Sequence, residues 1–193
     1  MFKSYIKRFV DVCVAFLCII FTLPLFFVCY LLIKIEDGGN VIFKQERIGL
    51  HGRPFVIYKF RSTRIDLIDE GYHLFNPEKD IDLLTKVGKF IRKSHLDELP
   101  QLWNVVKGDM ALVGYRPERK FYIDKIMEID SRYELLYQTR PGITSYAALY
   151  NGYTDTMEKM LKRLEMDLYY MEHNSLWTDM KILLKTFGKA IIR

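Results

Sequence analysis

Two adjacent carboxylates near the middle of the chain, Asp97 and Glu98, have the types and spacing to do chemistry. They stand at a predicted helix start, because Ser94 suits an N-terminal cap, Pro100 suits the first turn and Gly108 suits the end. The positive end of a helix favours ionised carboxylates and phosphate groups. The sequence therefore predicts a place where a carboxylate pair, a divalent cation and a phosphate fit together.

The same residues also admit a purely structural interpretation. Ser94-x-x-Asp97 has the form of a capping arrangement, in which Glu98 would only interact favourably with the helix dipole. Taken alone, the residues favour this interpretation over catalysis. Adjacent residues of a helix point about 100° apart, so Asp97 and Glu98 face one metal ion only where the backbone is not regular helix.

Two nearby features carry weaker chemical signals. His95 lies beside the pair, but a carboxylate nucleophile needs no base to activate it, so a general-base role is disfavoured. Asp80-Ile81-Asp82 has the D-x-D form that many metal-dependent glycosyltransferases use. Three residues in a polar stretch are a weak signal, and a solvated loop is the favoured interpretation.

A long apolar segment precedes all of these residues. From Val12 to Ile33 there is no charged side chain, and roughly 22 helical residues reach ~33 Å, enough to cross the hydrocarbon core of a bilayer. Lys7 and Arg8 come before the segment, and Lys34 follows it. The run is too long for a cleaved signal peptide, and the basic flank predicts a cytoplasmic N-terminal end.

Pro24 interrupts this segment, because proline removes a backbone hydrogen bond and kinks a helix. Thr22 could bond a carbonyl freed in this way. A kinked helix that spans the membrane would place its ends on opposite faces, whereas a broken helix that re-enters would keep both ends in the cytoplasm. Length favours spanning, and the positive residues at both ends favour re-entry.

The rest of the chain predicts a mainly helical α+β domain. Val41–Arg47 and Phe55–Phe60 alternate apolar and polar residues around a turn at Leu50–Gly52, which predicts a β-hairpin. A polar loop is predicted over residues 62–82. Helices are predicted over Thr85–Lys93, Phe121–Tyr137, Thr156–Glu172 and Leu176–Ile192. The last is amphipathic and suits a membrane interface or a core-packing terminal helix equally.

Charge and cysteine usage narrow the class of partner. The formal net charge of +5 suits a domain that rests on anionic lipid or binds phosphorylated substrates. No basic tract is interleaved with aromatic residues, so nucleic-acid binding is not expected. Cys13, Cys18 and Cys29 all lie in the apolar segment without metal-ligand spacing, which indicates small apolar residues in a reducing compartment.

Several blocks of residues follow the proline-containing apolar helix in a fixed order. They are Lys59–Ser62, Gly88–Ser94, Leu96–Asn104, Lys107–Met110, Gly114–Pro117 and Arg140–Thr144. This ordered set resembles the small monotopic phosphoglycosyl transferases, the bacterial sugar transferase family. The likeness extends from about Lys7 to Lys185, nearly the whole chain, and the set is specific although any one block alone is weak.

The resemblance implies an enzyme and names roles for its residues. Sugar-1-phosphate would pass from a UDP-sugar to undecaprenyl phosphate, giving undecaprenyl-diphosphate-sugar and UMP through a covalent aspartyl-phosphosugar, as the first membrane step of glycan assembly. Asp97 would be the nucleophile, and Asp97 and Glu98 would hold Mg²⁺. The cations expected at the phosphates or at the dyad are Lys59, Arg92, Arg116 and Arg140. Arg140 either reaches the nucleotide or holds its Pro-Gly turn.

The resemblance also implies an architecture and a location. The expected fold is α+β and mainly helical, with a re-entrant membrane helix over residues 1–36, broken at Thr22 and Pro24. A cytoplasmic catalytic domain over residues 37–193 would carry the small β-hairpin and interfacial amphipathic helices, resting on the bacterial inner membrane. Membrane lipid is an expected partner, and downstream glycosyltransferases and a homodimer are compatible with this arrangement.

The chain departs from the family pattern in three places, and the third of them bears on donor recognition. Leu23 stands where the family often has serine, Tyr115 stands where it commonly has proline, and Ser145–Tyr153 lacks a glutamine and an arginine. Two other hypotheses therefore stay open. One is a D-x-D glycosyltransferase that uses Asp80 and Asp82 and releases UDP, and the other is a non-catalytic membrane-anchored module that binds anionic lipid.

Overall fold

The protein is represented by a computed structural model that describes residues 2–64, 81–152 and 154–192. Its helices are α1 (Phe2–Asp37), α2 (Lys86–Lys93), α3 (Gln101–Lys107), α4 (Lys120–Met127), α5 (Tyr146–Tyr150), α6 (Met157–His173) and α7 (Leu176–Ile192). Its strands are β1 (Ile42–Ile48), β2 (Pro54–Phe60), β3 (Ala111–Val113) and β4 (Gly142–Thr144). The expectation of a mainly helical protein with a small sheet is confirmed.

The predicted hairpin is confirmed as β1 and β2. The two strands pair antiparallel, with Ile42 opposite Phe60, and the turn holds Gly52 at φ 68°, which glycine adopts without strain. Side chains alternate along a strand, so Ile57 and Lys59 project from the same face of β2. Ile57 is buried in the core that contains α3, and Lys59 is therefore directed toward the same side.

The sequence does not predict the second pair of strands, because three-residue strands are too short to show a periodicity. β3 and β4 pair parallel, with Ala111 opposite Gly142 and Val113 opposite Thr144. A Cβ atom on Gly142 would lie 2.1 Å from the backbone nitrogen of Gly114. The two segments can approach this closely only because glycine lacks that atom.

Helix α1 extends from Phe2 to Asp37 and contains Pro24. The Thr22 hydroxyl donates a hydrogen bond to the Cys18 carbonyl at 2.7 Å, so it bonds within the helix close to the proline. Among the described residues, Tyr5–Glu36 form a helix long and apolar enough to cross a bilayer, which suggests membrane association. Re-entry, the break at Thr22 and Pro24 and the domain boundary after residue 36 stay predictions.

One predicted helix is instead two elements, so that prediction is partly wrong. The range Phe121–Tyr137 contains α4, which ends at Met127, and most of a 3₁₀ helix over Ser131–Gln138. Asp130 lies between them, and its carboxylate accepts a hydrogen bond from the Arg132 amide. This local side-chain bond competes with the helical pattern. The other three predicted helices correspond to α2, α6 and α7.

Packed apolar side chains support the middle of the chain from two sides. Ala15 of α1, Ile57 of β2 and Leu102 of α3 are buried together in one core. Tyr115 and Leu164 are buried in a neighbouring core that joins α4 and α6. The segments that flank the carboxylate pair are therefore held by close packing.

Candidate active site

The carboxylate pair lies in a 3₁₀ turn, Leu96–Glu98, between α2 and α3. The predicted cap at Ser94 is wrong, because the Ser94 hydroxyl donates to the Phe90 carbonyl at 2.9 Å and ends α2 instead. His95 follows with φ 57° and leads into the turn. The pair therefore does not lie in regular α-helix, which is the condition under which both carboxylates can face one metal ion.

Helix α3 is fixed against β2 by the side chain of Asn104, which is fully buried. The Asn104 amide oxygen accepts from the Tyr58 backbone amide at 3.1 Å, and its nitrogen donates to the Val56 carbonyl at 2.7 Å. These two bonds couple the middle of α3 to the strand that carries Lys59. The turn with the carboxylate pair and the strand with the lysine thus keep a fixed separation.

Two arginines hold the other end of α3, where Gly108 ends the helix at φ 106° as the sequence predicts. Arg8 of α1 donates to the Val106 carbonyl at 3.2 Å, and Arg140 donates to the Gly108 carbonyl at 2.9 Å. Seven residues of helix, about 10 Å, separate this end from the carboxylate pair. The structure thus places Arg140 at the C-terminal end of α3, where its own Pro-Gly turn begins, and does not bring it to the dyad.

Glu98 is surrounded by positive charge. The Lys59 ammonium donates to Glu98 Oε1 at 2.7 Å, and the Arg116 guanidinium lies 3.9 Å from the same oxygen. Burial alone would raise the pKa of Glu98, but Lys59 and Arg116 outweigh it and lower the pKa to about 2. Glu98 is therefore ionised at every working pH.

Asp97 has the opposite electrostatic environment. Its side chain is buried, and its Oδ1 has no hydrogen-bond partner in the structure. Burial and the neighbouring charge of Glu98 raise the pKa of Asp97 to about 6, against the lowering effect of Lys59, Arg92 and Arg116. Two adjacent carboxyl groups with pKa values shifted in opposite directions are typical of a functional site.

Three of the four predicted cations thus meet at the dyad. They are Lys59 from β2, Arg92 from the last turn of α2, and Arg116 from the segment between β3 and α4. The membrane helix also comes near, because Phe26 packs on Phe60, the residue after Lys59, with ring centroids 4.6 Å apart. Pro24 therefore lies only two residues before a side chain that contacts the strand of the site.

The residues at the dyad fit a magnesium ion. Mg²⁺ binds through one or two carboxylates plus substrate phosphates, and it keeps several waters. Asp97 and Glu98 supply two adjacent carboxylates, and Asp97 offers a buried oxygen without another partner. Among the described residues no group of three acidic, histidine or cysteine side chains could form a complete protein cage. The D-x-D alternative lies partly outside the described residues, since only Asp82 is described.

The sequence motifs do not predict the polar residues behind Arg116, which are the buried Glu118, Arg163 and Asp167 and the partly buried Arg47. A signal was present, because Arg163 and Asp167 interrupt the apolar face of α6 that Met160, Leu164 and Leu168 form. Charged residues on a buried helix face require partners. That rule predicts a polar network there but not its contacts.

A profile of the family described as bacterial sugar transferase matches residues 2–193. The chain belongs to the bacterial sugar transferase family. It is 39% identical over 188 residues to the UDP-glucose:undecaprenyl-phosphate glucose-1-phosphate transferase of Klebsiella pneumoniae, covering 96% of this chain and 40% of that protein. The resemblance seen in the sequence motifs is therefore confirmed.

Two further proteins similar to this bacterial sugar transferase are also named as transferases with undecaprenyl phosphate in the name. The UDP-N-acetylgalactosamine-undecaprenyl-phosphate N-acetylgalactosaminephosphotransferase of Aeromonas hydrophila is 39% identical over 183 residues, covering 95% of this chain and 43% of that protein. The UDP-glucose:undecaprenyl-phosphate glucose-1-phosphate transferase of Caulobacter vibrioides is 39% identical over 182 residues, covering 93% of this chain and 67% of that protein. The chain thus spans about two fifths of the length of the Klebsiella and Aeromonas relatives.

Two of the departures from the family pattern, Tyr115 and Ser145, have structural roles in this bacterial sugar transferase. Tyr115 is buried in the core beside α4 and α6, directly before Arg116. The Ser145 hydroxyl accepts from the Ala148 amide at 2.9 Å and caps α5. Leu23 lies on an exposed side of α1, and residue 153 lies outside the described residues.

Proposed function

We propose that this protein transfers sugar-1-phosphate from a UDP-sugar to undecaprenyl phosphate and releases UMP. The observation that carries the proposal is the buried Asp97 carboxylate, which has one oxygen without a partner and stands in the field of Lys59, Arg92 and Arg116. A carboxylate oxygen placed in this way can bond to phosphorus, while the cations offset the charge of the phosphates. The names of the relatives support the same class of reaction.

In the first proposed step Asp97 is the nucleophile. A carboxylate oxygen of Asp97 bonds to the phosphorus that carries the sugar, and the bond from that phosphorus to the bridging oxygen of UMP breaks. UMP leaves with the electron pair of that bond, and an acyl phosphate joins Asp97 to the sugar phosphate. Because an ionised carboxylate has no proton to lose, this step needs no general base, and His95 has no required role.

In the second step the lipid phosphate completes the transfer. An oxygen of undecaprenyl phosphate bonds to the same phosphorus, and the bond from the phosphorus to Asp97 breaks, which restores the carboxylate. Lys59 keeps Glu98 ionised and in place through both steps. Mg²⁺ held by Asp97 and Glu98 would supply positive charge against the phosphate oxygens.

We place the protein at the cytoplasmic face of the bacterial inner membrane, with α1 in the bilayer as a re-entrant helix. Contacts at both ends of α1 support this topology. Lys7 binds Asp179 of α7 at 2.6 Å, and Glu36 accepts from the Lys86 amide of α2 at 2.7 Å. A helix that spanned the bilayer would carry one of these ends at least ~30 Å away across the hydrocarbon core.

The exposed face of α7 supports contact between the domain and the membrane interface. Its large exposed apolar side chains are Leu176, Trp177, Met180, Leu184 and Phe187. The Lys181 ammonium lies 5.3 Å from the Trp177 ring centroid, so a cation borders this face. Apolar and aromatic residues flanked by lysine are typical of helices that lie in the membrane interface.

The test is a product assay with purified protein, undecaprenyl phosphate, Mg²⁺ and a panel of UDP-sugars. The panel includes UDP-glucose and UDP-N-acetylgalactosamine, because these sugars occur in the names of the relatives. We expect UMP equal in amount to the lipid-linked product, and none with Asp97→Asn. Release of UDP would indicate the D-x-D reaction, and absence of turnover with salt-sensitive lipid binding would indicate a docking module. Either result contradicts the proposal.

A further inference from the structure

Residues 116–118 form a segment that we call the arginine loop. Polar side chains from other elements hydrogen-bond to its backbone and to the Glu118 carboxylate. The Pro117 carbonyl accepts from the Arg47 guanidinium at 3.3 Å. The Glu118 carboxylate is bound on one oxygen by Arg47 at 3.2 Å and on the other by Arg163 at 2.6 Å. The arginine loop is therefore held by side chains from β1 and α6, outside the dyad itself.

Asp167 of α6 contacts Arg116, the first residue of the arginine loop. Its carboxylate accepts a hydrogen bond from the backbone amide of Arg116, and its side chain is buried in the molecule with 3% of the residue exposed. Its Oδ1 has no hydrogen-bond partner in the structure, so the Arg116 bond falls on the other oxygen. A buried carboxylate thus fixes the backbone of the residue whose guanidinium approaches Glu98.

Packing alone does not account for a carboxylate at this position. Asp167 lies between Leu164 and Leu168 on α6, and both leucines are buried in the core. A buried ionisable group with incomplete hydrogen bonding is unfavourable, and an apolar residue of similar volume is often neutral or stabilising in its place. An aspartate here has a cost that a leucine would not have, so we look for its role in the bond that it accepts from Arg116.

We propose that Asp167 is a positioning residue, which holds the Arg116 backbone so that the Arg116 guanidinium is directed to the Glu98 side of the dyad. The inference rests on the proposed function for the consequence in catalysis. The Arg116 side chain is nearly half exposed, at 47%, and its guanidinium lies 3.9 Å from Glu98 Oε1. A long, half-exposed side chain has many rotamers, so fixing its backbone restricts where its charge can reach.

Other charged and titratable groups face Asp167 from several elements. They are Arg163 and Tyr170 on α6, and Tyr115, Arg116 and Glu118 on the segment after β3. Burial raises the pKa of Asp167 to about 7, although Arg163 opposes this shift. An oxygen of Asp167 can accept from the Arg116 amide whether or not the other oxygen carries a proton. The positioning role therefore does not require ionisation, and an asparagine should fill it.

The test compares Asp167→Leu, Asp167→Asn, Arg116→Ala and the double variant Asp167→Leu with Arg116→Ala, with Leu164→Met as a control on the same helix face. We expect Asp167→Leu to lower kcat/KM for sugar-phosphate transfer by about 10²-fold without lowering the unfolding temperature. Asp167→Asn should stay within about threefold of the parent protein. The double variant should be no slower than Arg116→Ala, because Asp167 acts through Arg116.

Hydrogen exchange supplies a readout that does not depend on turnover. In Asp167→Leu, the amides of Gly114, Tyr115, Arg116 and Glu118 should exchange at least about tenfold faster, whereas Asp167→Asn and Leu164→Met should match the parent. The positioning role would be overturned if amide exchange is unchanged in Asp167→Leu. It would also be overturned if the losses of kcat/KM from the two substitutions multiply in the double variant, or if Asp167→Asn loses as much kcat/KM as Asp167→Leu. If the parent protein transfers no sugar phosphate, the proposed function fails, and the exchange result still decides whether Asp167 holds the loop.

Discussion

At the scale of single residues, the site shifts the pKa values of two neighbouring carboxyl groups in opposite directions. Glu98 is bound to Lys59 at 2.7 Å and stays ionised, while burial beside Glu98 raises the pKa of Asp97. The protonation of a pair this close belongs to both groups together. The group that titrates near working pH is nevertheless the one that has an oxygen without a partner.

The first prediction concerns the acidic limb of the pH–rate profile, which is the fall of kcat/KM at low pH. Attack requires ionised Asp97, and burial and the charge of Glu98 raise its pKa, so kcat/KM should fall about tenfold per pH unit once the pH drops below the pKa of Asp97. Lys59→Met removes a cation that lowers the pKa values of Asp97 and Glu98. The limb should therefore move to higher pH in that variant.

Initial rates over a pH series measure this limb. Lys44→Met is the matched control, because Lys44 is exposed on the neighbouring strand β1, and it should leave the limb where it is in the parent. A limb that stays in place or moves to lower pH in Lys59→Met would show that Lys59 does not set the charge of the dyad.

The residue types of the site follow from the sequence, but several contacts do not. The adjacent carboxylates and three of the four cations meet as the motifs imply. Ser94 is at the end of α2 instead of the start of α3, because serine can bond backward to a carbonyl as well as forward to an amide. Arg140 holds a carbonyl at the end of α3, and sequence spacing cannot distinguish that from a substrate contact.

At the scale of elements, the close approach of β3 and β4 sets where the arginine loop begins. Gly114 donates to the Thr144 carbonyl at 3.0 Å, and Gly142 donates to the Tyr115 carbonyl at 2.8 Å. Arg116 comes directly after this pairing. The short parallel pair therefore fixes the start of the loop whose arginine reaches the dyad.

The second prediction tests that pairing. Gly142→Ala should destabilise the protein by about 1–3 kcal/mol, because its Cβ would meet the Gly114 backbone nitrogen at 2.1 Å. Gly188→Ala is the control, since nothing lies within 4 Å of a Cβ there and alanine is the better helix former in α7. Thermal unfolding in detergent measures both variants. Equal unfolding temperatures for Gly142→Ala and the parent would contradict the steric argument.

The third prediction tests whether α7 lies at the membrane interface. The chain has two tryptophans, so Trp103→Phe leaves Trp177 as the single indole, and that residue is 67% exposed. In vesicles, brominated lipid should quench the fluorescence of Trp177. Acrylamide should quench this fluorescence less than it quenches that of a tryptophan peptide free in water. Full quenching by acrylamide without quenching by brominated lipid would show that α7 faces water.

The long elements are the predictable ones. The hairpin, α6 and α7 have clear periodicities of two or 3.6 residues, and the structure has them near the predicted ranges. β3 and β4 are three residues long and nearly all buried, so they show no alternation, and α5 is only five residues long, too short to show a helical period. Asp130 divides a continuous helical pattern by a local bond that only the folded backbone reveals.

At the scale of the whole molecule, α1 packs against the elements that carry the candidate site. Arg8 of α1 binds carbonyls at the end of α3, and Phe26 packs on Phe60 beside Lys59. The length of the apolar segment favours a spanning helix in the sequence, whereas these long-range contacts favour a helix that stays beside the domain. Only tertiary contacts supply that information, because hydropathy does not record which side each end occupies.

The fourth prediction concerns this topology. Single cysteines at Tyr5 and at Glu158, in a background without Cys13, Cys18 and Cys29, should react with a membrane-impermeant maleimide from the same side. Both positions are exposed, and we expect labelling in inverted vesicles but not in sealed spheroplasts. Reaction of the Tyr5→Cys protein from the outer side alone would restore the spanning helix and contradict the re-entrant arrangement.

The most direct test of the central claim is intact-protein and peptide mass spectrometry after incubation with a UDP-sugar and Mg²⁺ in the absence of undecaprenyl phosphate. The account predicts the added mass of one sugar phosphate on Asp97, its loss when undecaprenyl phosphate is supplied, and no addition to Asp97→Asn. A turnover-competent protein that never carries this mass at Asp97, or carries it at another residue, would contradict the account.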